Sequence, residues 1–264
     1  MSKPSPYYSN EKERQELIQR RDNFQFAEVD DLPKFVALLA GKEGSGKTHL
    51  ACTMSELAPV YLIDTEYRAQ IVTKKFQNIK FATAKNYLEL VVAVKYILSC
   101  QPQGTIIIDS GSDLQTFAEI EYLERTDKEK VGMAWNWSEV WRLCNAVIDE
   151  IKFSKKFNLV ITARMKDEYV GEKATGRQIP RIYAPLPYKA DAILLLTNDK
   201  TRKITLSKNG FTGNLSQEIS STDSLPNIMA SLSDCKELLP LKNTQEEPIQ
   251  PPQTRKLTVL RKAS

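Results

Sequence analysis

Gly41-Lys42-Glu43-Gly44-Ser45-Gly46-Lys47-Thr48 fits the pattern G-x-x-x-x-G-K-[ST], a loop that cradles polyphosphates. Glycines 41, 44 and 46 let the backbone turn through conformations that a Cβ forbids, so successive N–H groups can point inward at an anion. Lys47 is placed to reach the β- and γ-phosphates, and the Thr48 hydroxyl to hold Mg²⁺. The flanks agree. Phe35-Val36-Ala37-Leu38-Leu39-Ala40 is a short apolar run readable as a buried strand, and the residues from His49 to Leu57 have helical character. Strand, glycine loop and helix is the order that the pattern requires, and the helix start adds the positive end of its dipole. The phosphate-binding segment is therefore Gly41, Glu43, Gly44, Ser45, Gly46, Lys47, Thr48 and His49, with His49 in a structural role on the first turns of the helix.

Outward from the loop, apolar segments recur. Val60–Asp64, Asn78–Ala82, Thr105–Asp109 and Asn158–Thr162 read as strands, the third and fourth as buried ones. Ala192–Thr197 and Lys203–Ser207 read as late strands of a hairpin turning through Asn198-Asp199-Lys200-Thr201. Helices are expected at Tyr87–Ser99, over 112–130, and around Trp137, Val140, Trp141, Cys144, Val147, Ile148 and Ile151, whose spacing draws one apolar face. Asn10 is placed to cap a charged surface helix from Glu11 to about Arg21, and Pro226 to open a short helix at Leu225–Leu232. Alternating strands and helices predict an α/β fold: a largely parallel sheet with helices on both faces and late antiparallel strands. The expected parts are an N-terminal arm and helix (1–34), an ATPase core (35–239) and a disordered, basic C-terminal tail (240–264).

Composition narrows the function. The 264 residues carry 37 basic and 33 acidic side chains, so nucleic acid would have to bind a local patch. Cys52, Cys100, Cys144 and Cys235 are far apart, which suits reduced thiols. A single histidine makes a zinc site or a Ser-His-Asp triad hard to build. No apolar leader and no run of 18 apolar residues is present, predicting a soluble cytoplasmic protein without membrane contact.

In such a sheet, ligands bind outside the carboxyl ends of the strands. Asp109 ends an apolar strand 62 residues beyond Lys47 and is the natural acid to position Mg²⁺ beside Thr48. Ser110 follows, within reach of the magnesium water shell. Hydrolysis also needs a group that orients or deprotonates water. Glu66, just after the second strand, is the preferred candidate, with Asp64 and Glu43 as competitors. The catalytic set is thus Lys47, Glu66 and Asp109, with ATP and Mg²⁺ as cofactors and Thr48 and Asp109 on the metal.

The phosphate loop, Leu62-Ile63-Asp64-Thr65-Glu66 and Ile106-Ile107-Ile108-Asp109-Ser110 together resemble the RecA-type ATPase core over roughly residues 35–215. More narrowly, the chain is similar to small single-domain RecA-like ATPases of bacteriophages, some of which anneal single-stranded DNA. In that family a glutamate after the strand following the phosphate-loop helix activates water. In AAA+ proteins the glutamate directly follows the Walker B aspartate, where this chain has Ser110.

The resemblance implies single-stranded DNA as partner, a homo-oligomeric ring or filament, and a role in recombination, annealing or replication. It also implies two departures. Ala163-Arg164 stands where the family keeps a phosphate-sensing glutamine, and Arg164 either bridges phosphate oxygens in its place or is a solvated arginine. The family's large accessory DNA-binding domains are missing. Lys208, before Asn209-Gly210, either reaches a neighbouring subunit's ATP or sits at a β-turn.

DNA would meet 131–137, where Trp135 stacks a base or packs in the core and Trp137 belongs to the core. It would also meet 164–187, which carries Arg164, Lys166, Lys173, Arg177, Arg181, Tyr169 and Tyr183 and is either a DNA loop or a lid hairpin. Phe24-Gln25-Phe26-Ala27 resembles a recombinase oligomerisation motif; Phe81-Ala82-Thr83-Ala84 also matches and is expected in the core. The alternative function is an ATP-dependent loader or motor acting on a protein partner, such as a replicative helicase, through the basic-apolar tail Arg255–Lys262.

Overall fold

The computed structural model describes residues 10–22, 34–128, 134–198, 201–216 and 219–233. The chain divides into two units, Met1–Pro33 and Lys34–Ser264. The described part of the first is helix α1 (Glu11–Asp22), whose start is capped by Asn10 Oδ1 accepting from the Glu13 amide at 2.9 Å. The Phe24–Ala27 match and the tail from 240 onward lie outside the described residues.

Among its described residues, the second unit is built on nine strands. In order along the chain they are β1 (Val36–Gly41), β2 (Val60–Asp64), β3 (Ile79–Thr83), β4 (Gly104–Asp109), β5 (Phe157–Ala163), β6 (Met165–Val170), β7 (Lys173–Pro180), β8 (Ala192–Asn198) and β9 (Arg202–Asn209). Seven of them form one sheet in the order β3-β2-β4-β5-β1-β8-β9. All pairs are parallel except β8 with β9. Every residue of β1, β2 and β4 is buried, as expected of parallel strands covered on both faces.

Alternate strand residues feed two cores. On one face, helices α4 (Tyr87–Cys100), α5 (Gly111–Thr126) and α6 (Ala134–Phe153) pack on Leu38, Ile63, Ile106, Ile108 and Ile161. On the other, α2 (Lys47–Cys52), with the 3₁₀ turn Thr53–Glu56, and α8 (Leu225–Leu232) pack on Leu39, Leu62, Ile107 and Val160. Two helices of four residues, α3 (Gln70–Thr73) and α7 (Leu186–Lys189), complete the set. The apolar stripe read on α6 faces the core: Val140, Cys144, Val147, Ile148 and Ile151 are buried and Trp137 and Trp141 are partly so. Asn86 caps α4 by accepting from the Glu89 amide, a contact worth about 1 kcal/mol.

Of the two forms read for 164–187, loop or hairpin, the segment holds a separate two-stranded antiparallel hairpin, β6–β7, followed by α7. Two expectations are corrected. Tyr183, expected beside DNA, is fully buried, and its hydroxyl donates to Asn145 Oδ1 at 3.2 Å. Phe81, expected in the core, is 37% exposed because β3 is an edge strand. Of the 131–137 segment, residues 131–133 and the Trp135 side chain lie outside the described residues; the backbone from Ala134 onward is helical. Among the described residues no helix is long and apolar enough to cross a membrane.

Candidate nucleotide site

The parallel register brings the ends of β1, β2, β4 and β5 to one edge. Asp64 lies opposite Asp109, Ala40 opposite Ala163, and Ile108 opposite Ile161, so Asp109 and Thr162 are neighbours. The loop 41–48 leaves β1 at this edge. Gly44 and Gly46 have φ of 72° and 88°, the left-handed region that favours glycine. Gly41 is closed in a second way: a Cβ there would collide with the Leu196 carbonyl and the Ser45 hydroxyl. Lys47 Nζ donates to the carbonyls of Gly41 and Lys42, both at 2.9 Å, folding the ammonium over its own loop. Burial lowers the Lys47 pKa, and the negative charges of Asp109, Glu66 and Glu43 work against that shift.

Thr48 Oγ1 donates to Asp109 Oδ2 at 2.8 Å, so the metal-binding pair foreseen in the sequence is in contact. The other oxygen of Asp109 accepts from the Thr162 hydroxyl. Burial raises the Asp109 pKa, opposed by these two hydrogen bonds. Thr162 is a site residue that the sequence does not flag, because a threonine near a strand end carries no pattern.

Thr65 is another. Its amide donates to the Asp109 carbonyl at 2.7 Å, its hydroxyl accepts from the Ser110 amide at 2.8 Å and donates to Asp113 Oδ2 at 3.0 Å. The turn after β2 is thereby stitched to the turn after β4.

Among the three candidate acids the geometry separates the roles. Asp64 is fully buried, and its carboxylate accepts from the amides of Glu66 and Ala69, both at 2.9 Å. It holds the turn. Glu43 is exposed on the loop and pairs loosely with Arg68 at 3.6 Å. Glu66 is half-buried, and its Oε1 accepts from Arg164 Nε at 2.8 Å. Burial alone would raise the Glu66 pKa; the nearby Ser110 hydroxyl, the Arg164 hydrogen bond and the Arg164 and Lys47 charges outweigh it and lower the pKa. Ser110 Oγ lies close enough to favour the carboxylate, yet it reaches hydrogen-bonding geometry with no group.

Arg164 also donates from Nη2 to both oxygens of Asp113, at 3.1 and 3.2 Å. It is therefore neither solvated nor free, but a clamp between Glu66 and α5. Lys208 is not brought to this edge. It pairs with Ile193, near the start of β8, at the other end of the sheet, and its ammonium donates to the carbonyls of Pro187, Tyr188 and Ala190. Within this chain Lys208 holds α7, at the end of β9 before the Asn209-Gly210 turn. His49 is exposed, with its ring edge-on to Phe76 at 5.0 Å.

Five buried side-chain N or O atoms among the described residues make no hydrogen bond, and three line this site: Ser45 Oγ, Ser110 Oγ and Arg202 Nε. A buried polar atom without a partner costs about 1–3 kcal/mol, so three together are the signature of a polar ligand's cradle. The donors fit a magnesium–nucleotide: hard hydroxyl and carboxylate oxygens from Thr48 and Asp109, with Ser110 near them.

Residues 34–223, more than half of the sequence, match the family described as AAA domain (AAA_24). The chain belongs to the AAA domain family. It is a P-loop ATPase, and its sheet is that of a P-loop NTPase. Within this AAA domain protein the acid beside the phosphate loop follows β2, and Ser110 occupies the place directly after Asp109. No curated protein matches the chain. Among solved structures it is similar to one described as a prototypical ATPase from the type III secretion system of pathogenic bacteria, at 11% identity and a TM-score of 0.41. The match covers 63% of this chain and 53% of that one, so the chain spans about half the length of that ATPase.

Proposed function

We propose that this AAA domain protein hydrolyses Mg²⁺–ATP with Glu66 as the group that orients or deprotonates water, and couples the reaction to single-stranded DNA held by the β6–β7 hairpin. This is a RecA-like reading, suited to recombination, annealing or replication. Thr48 would take the metal directly and Asp109 would hold its water shell, and the ion would supply positive charge to the phosphate oxygens. Lys47 supplies positive charge to the same oxygens. Glu66 stays ionised at neutral pH, as a group that accepts a proton from water must.

One observation carries the coupling. Arg164, whose side chain grips Glu66, is the residue from which the hairpin springs, and its carbonyl accepts from the Arg181 amide at 2.7 Å to close the hairpin's base. The hairpin itself is exposed along most of its length. Two of its acids are bound within it, Asp167 to Gln178 and Glu168 to Thr175. The side chains of Lys166, Lys173 and Arg177 make no ion pair or hydrogen bond among the described residues, and Tyr169 is 61% exposed. Unpaired cations with an exposed aromatic ring suit a phosphate backbone and its bases.

The test is the ATPase rate with and without single-stranded oligonucleotides, in the wild type and in the triple variant Lys166→Ala/Lys173→Ala/Arg177→Ala. The wild type should be stimulated and should bind DNA more weakly as salt rises. The triple variant should keep its basal rate and lose stimulation. Lys47→Ala should abolish hydrolysis, and Glu66→Gln should keep nucleotide binding while slowing turnover. Salt-independent affinity, or full turnover in Glu66→Gln, would overturn the corresponding half of the proposal.

A further inference from the structure

Arg202 opens β9 opposite Asn198, the last residue of β8, and β8 pairs with β1 so that Leu196 faces Gly41. This register sets the Arg202 guanidinium against the phosphate loop. Its Cζ and Nε lie 3.7 Å, and its Nη2 3.9 Å, from where a Cβ on Gly46 would be. Nε is buried and donates to nothing, and the guanidinium makes no ion pair among the described residues. An arginine is charged at every accessible pH, so a half-buried one whose Nε is shut off from water without a partner leaves a donor for an anion.

Among the described residues no free acid stands there. The acids around the loop are engaged elsewhere: Glu43 with Arg68, Glu66 with Arg164, and Asp109 with Thr48 and Thr162.

We propose that Arg202 is a nucleotide-binding residue that contacts the diphosphate shared by ATP and ADP. Sheet order decides which phosphates it meets. Glu66 follows β2 and Asp109 ends β4, on the β5 side of β1, whereas Arg202 lies on the β8 side. The γ-phosphate has to face the hydrolytic acids, so the opposite flank of the loop meets the α- and β-phosphates. Arg202 therefore binds substrate and product alike, and sets nucleotide occupancy rather than the hydrolytic step.

The inference rests on reading residues 41–48 as the nucleotide site, and the experiment separates the two. ADP, ATP and inorganic pyrophosphate are titrated into the full chain by calorimetry, in the wild type and in the variants Arg202→Ala, Arg202→Gln, Arg202→Lys and Lys47→Ala. Arg202→Ala and Arg202→Gln should weaken all three ligands by a similar factor, about tenfold or more, as expected for loss of charge-assisted hydrogen bonds. Arg202→Lys should recover part of the loss. Melting without nucleotide shows which variants fold, and the Gln and Lys variants carry the test if the Ala variant does not.

ADP affinity within twofold of wild type in Arg202→Gln would overturn the proposal. So would weakening of ATP alone, or of ADP but not pyrophosphate, the latter placing Arg202 on the base. If Lys47→Ala also leaves ADP binding intact, the reading of the loop itself fails. If only the Arg202 variants do, the loop stands and Arg202 is removed from it.

Discussion

Replacing Arg164 with alanine removes one guanidinium from two acids at once. It sits 2.8 Å from Glu66 and 3.1 Å from Asp113. Two unit charges at about 3 Å attract by about 5 kcal/mol at an effective dielectric near 20. Arg164 is 34% exposed and Glu66 21%, so solvent screening and the entropy of fixing two long side chains leave about 1–2 kcal/mol. Arg164→Ala should therefore lower the unfolding free energy at pH 7 by that amount, and the melting temperature by about 3–6 °C for a domain of this size.

The pH dependence is the sharper test. The Glu66 pKa is lowered in the folded protein from its usual 4.5. Its contribution to stability is thus fully present above pH 4.5 and is lost as pH falls through the folded value. Wild type and variant should converge under acid, in denaturant titrations run from pH 7 downward. A deficit that stays constant across that range would refute the ion-pair account and assign the loss to packing of the arginine stem.

Three further outcomes follow from the same geometry. Thr162→Val keeps the volume but removes a donor to Asp109; a hydrogen bond to a charged group is worth about 1.5–3 kcal/mol. Because the folded Asp109 pKa is already raised, ionising it costs stability as pH rises through that value, so the Thr162→Val deficit should be larger at pH 7 than at pH 4 in the same titrations. His49 is the single histidine of the chain, and burial with the charges of Arg202 and Lys75 lowers its pKa below 6.5; its ring-proton resonance should titrate below that value, and Arg202→Ala should move the midpoint upward. Burial pushes the thiols of Cys52 and Cys144 up to about 12, so native alkylation at pH 8 should spare both while labelling the partly exposed Cys100, read by peptide mass.

Much of the site could be read from the chain because its parts are local. The glycine loop is contiguous, and an acid at the end of an apolar run marks a strand terminus whichever strands lie beside it. Residues 41–48, Glu66 and Asp109 are of this kind, and the parallel register then sets Asp64 beside Asp109. Arg202, Thr162 and the hydrogen bonds of Thr65 are not legible, since their importance comes from which strand lies next to which. Arg202 meets Gly46 only because β8 inserts beside β1 and β9 folds back on β8. The place of Lys208 within the chain depends on strand pairing in the same way. Its Lys-Asn-Gly setting suggests a turn reaching outward, while the pairing with Ile193 puts it at the far end of the sheet against main-chain carbonyls. Tyr183 looked like part of a polar loop because its neighbours are polar; its ring fills the core beyond the hairpin.

The base of the β6–β7 hairpin is fastened more firmly than its length suggests. Ser112 donates its hydroxyl to the Arg181 carbonyl at 2.8 Å and accepts from the Arg164 amide at 3.0 Å, so both legs are pinned to the first turn of α5. Such a hairpin is a lever with its fulcrum at the site. Six residues of strand span about 20 Å, so a tilt of about 10° at the base sweeps the tip through about 3–4 Å. Under the proposed coupling, small adjustments of Arg164 against Glu66 would be magnified outward, and a load on the tip would return to the carboxylate as torque. The gearing is set by strand length, so shortening the hairpin by pairs of residues would change the travel at its end without touching a single atom of the nucleotide site.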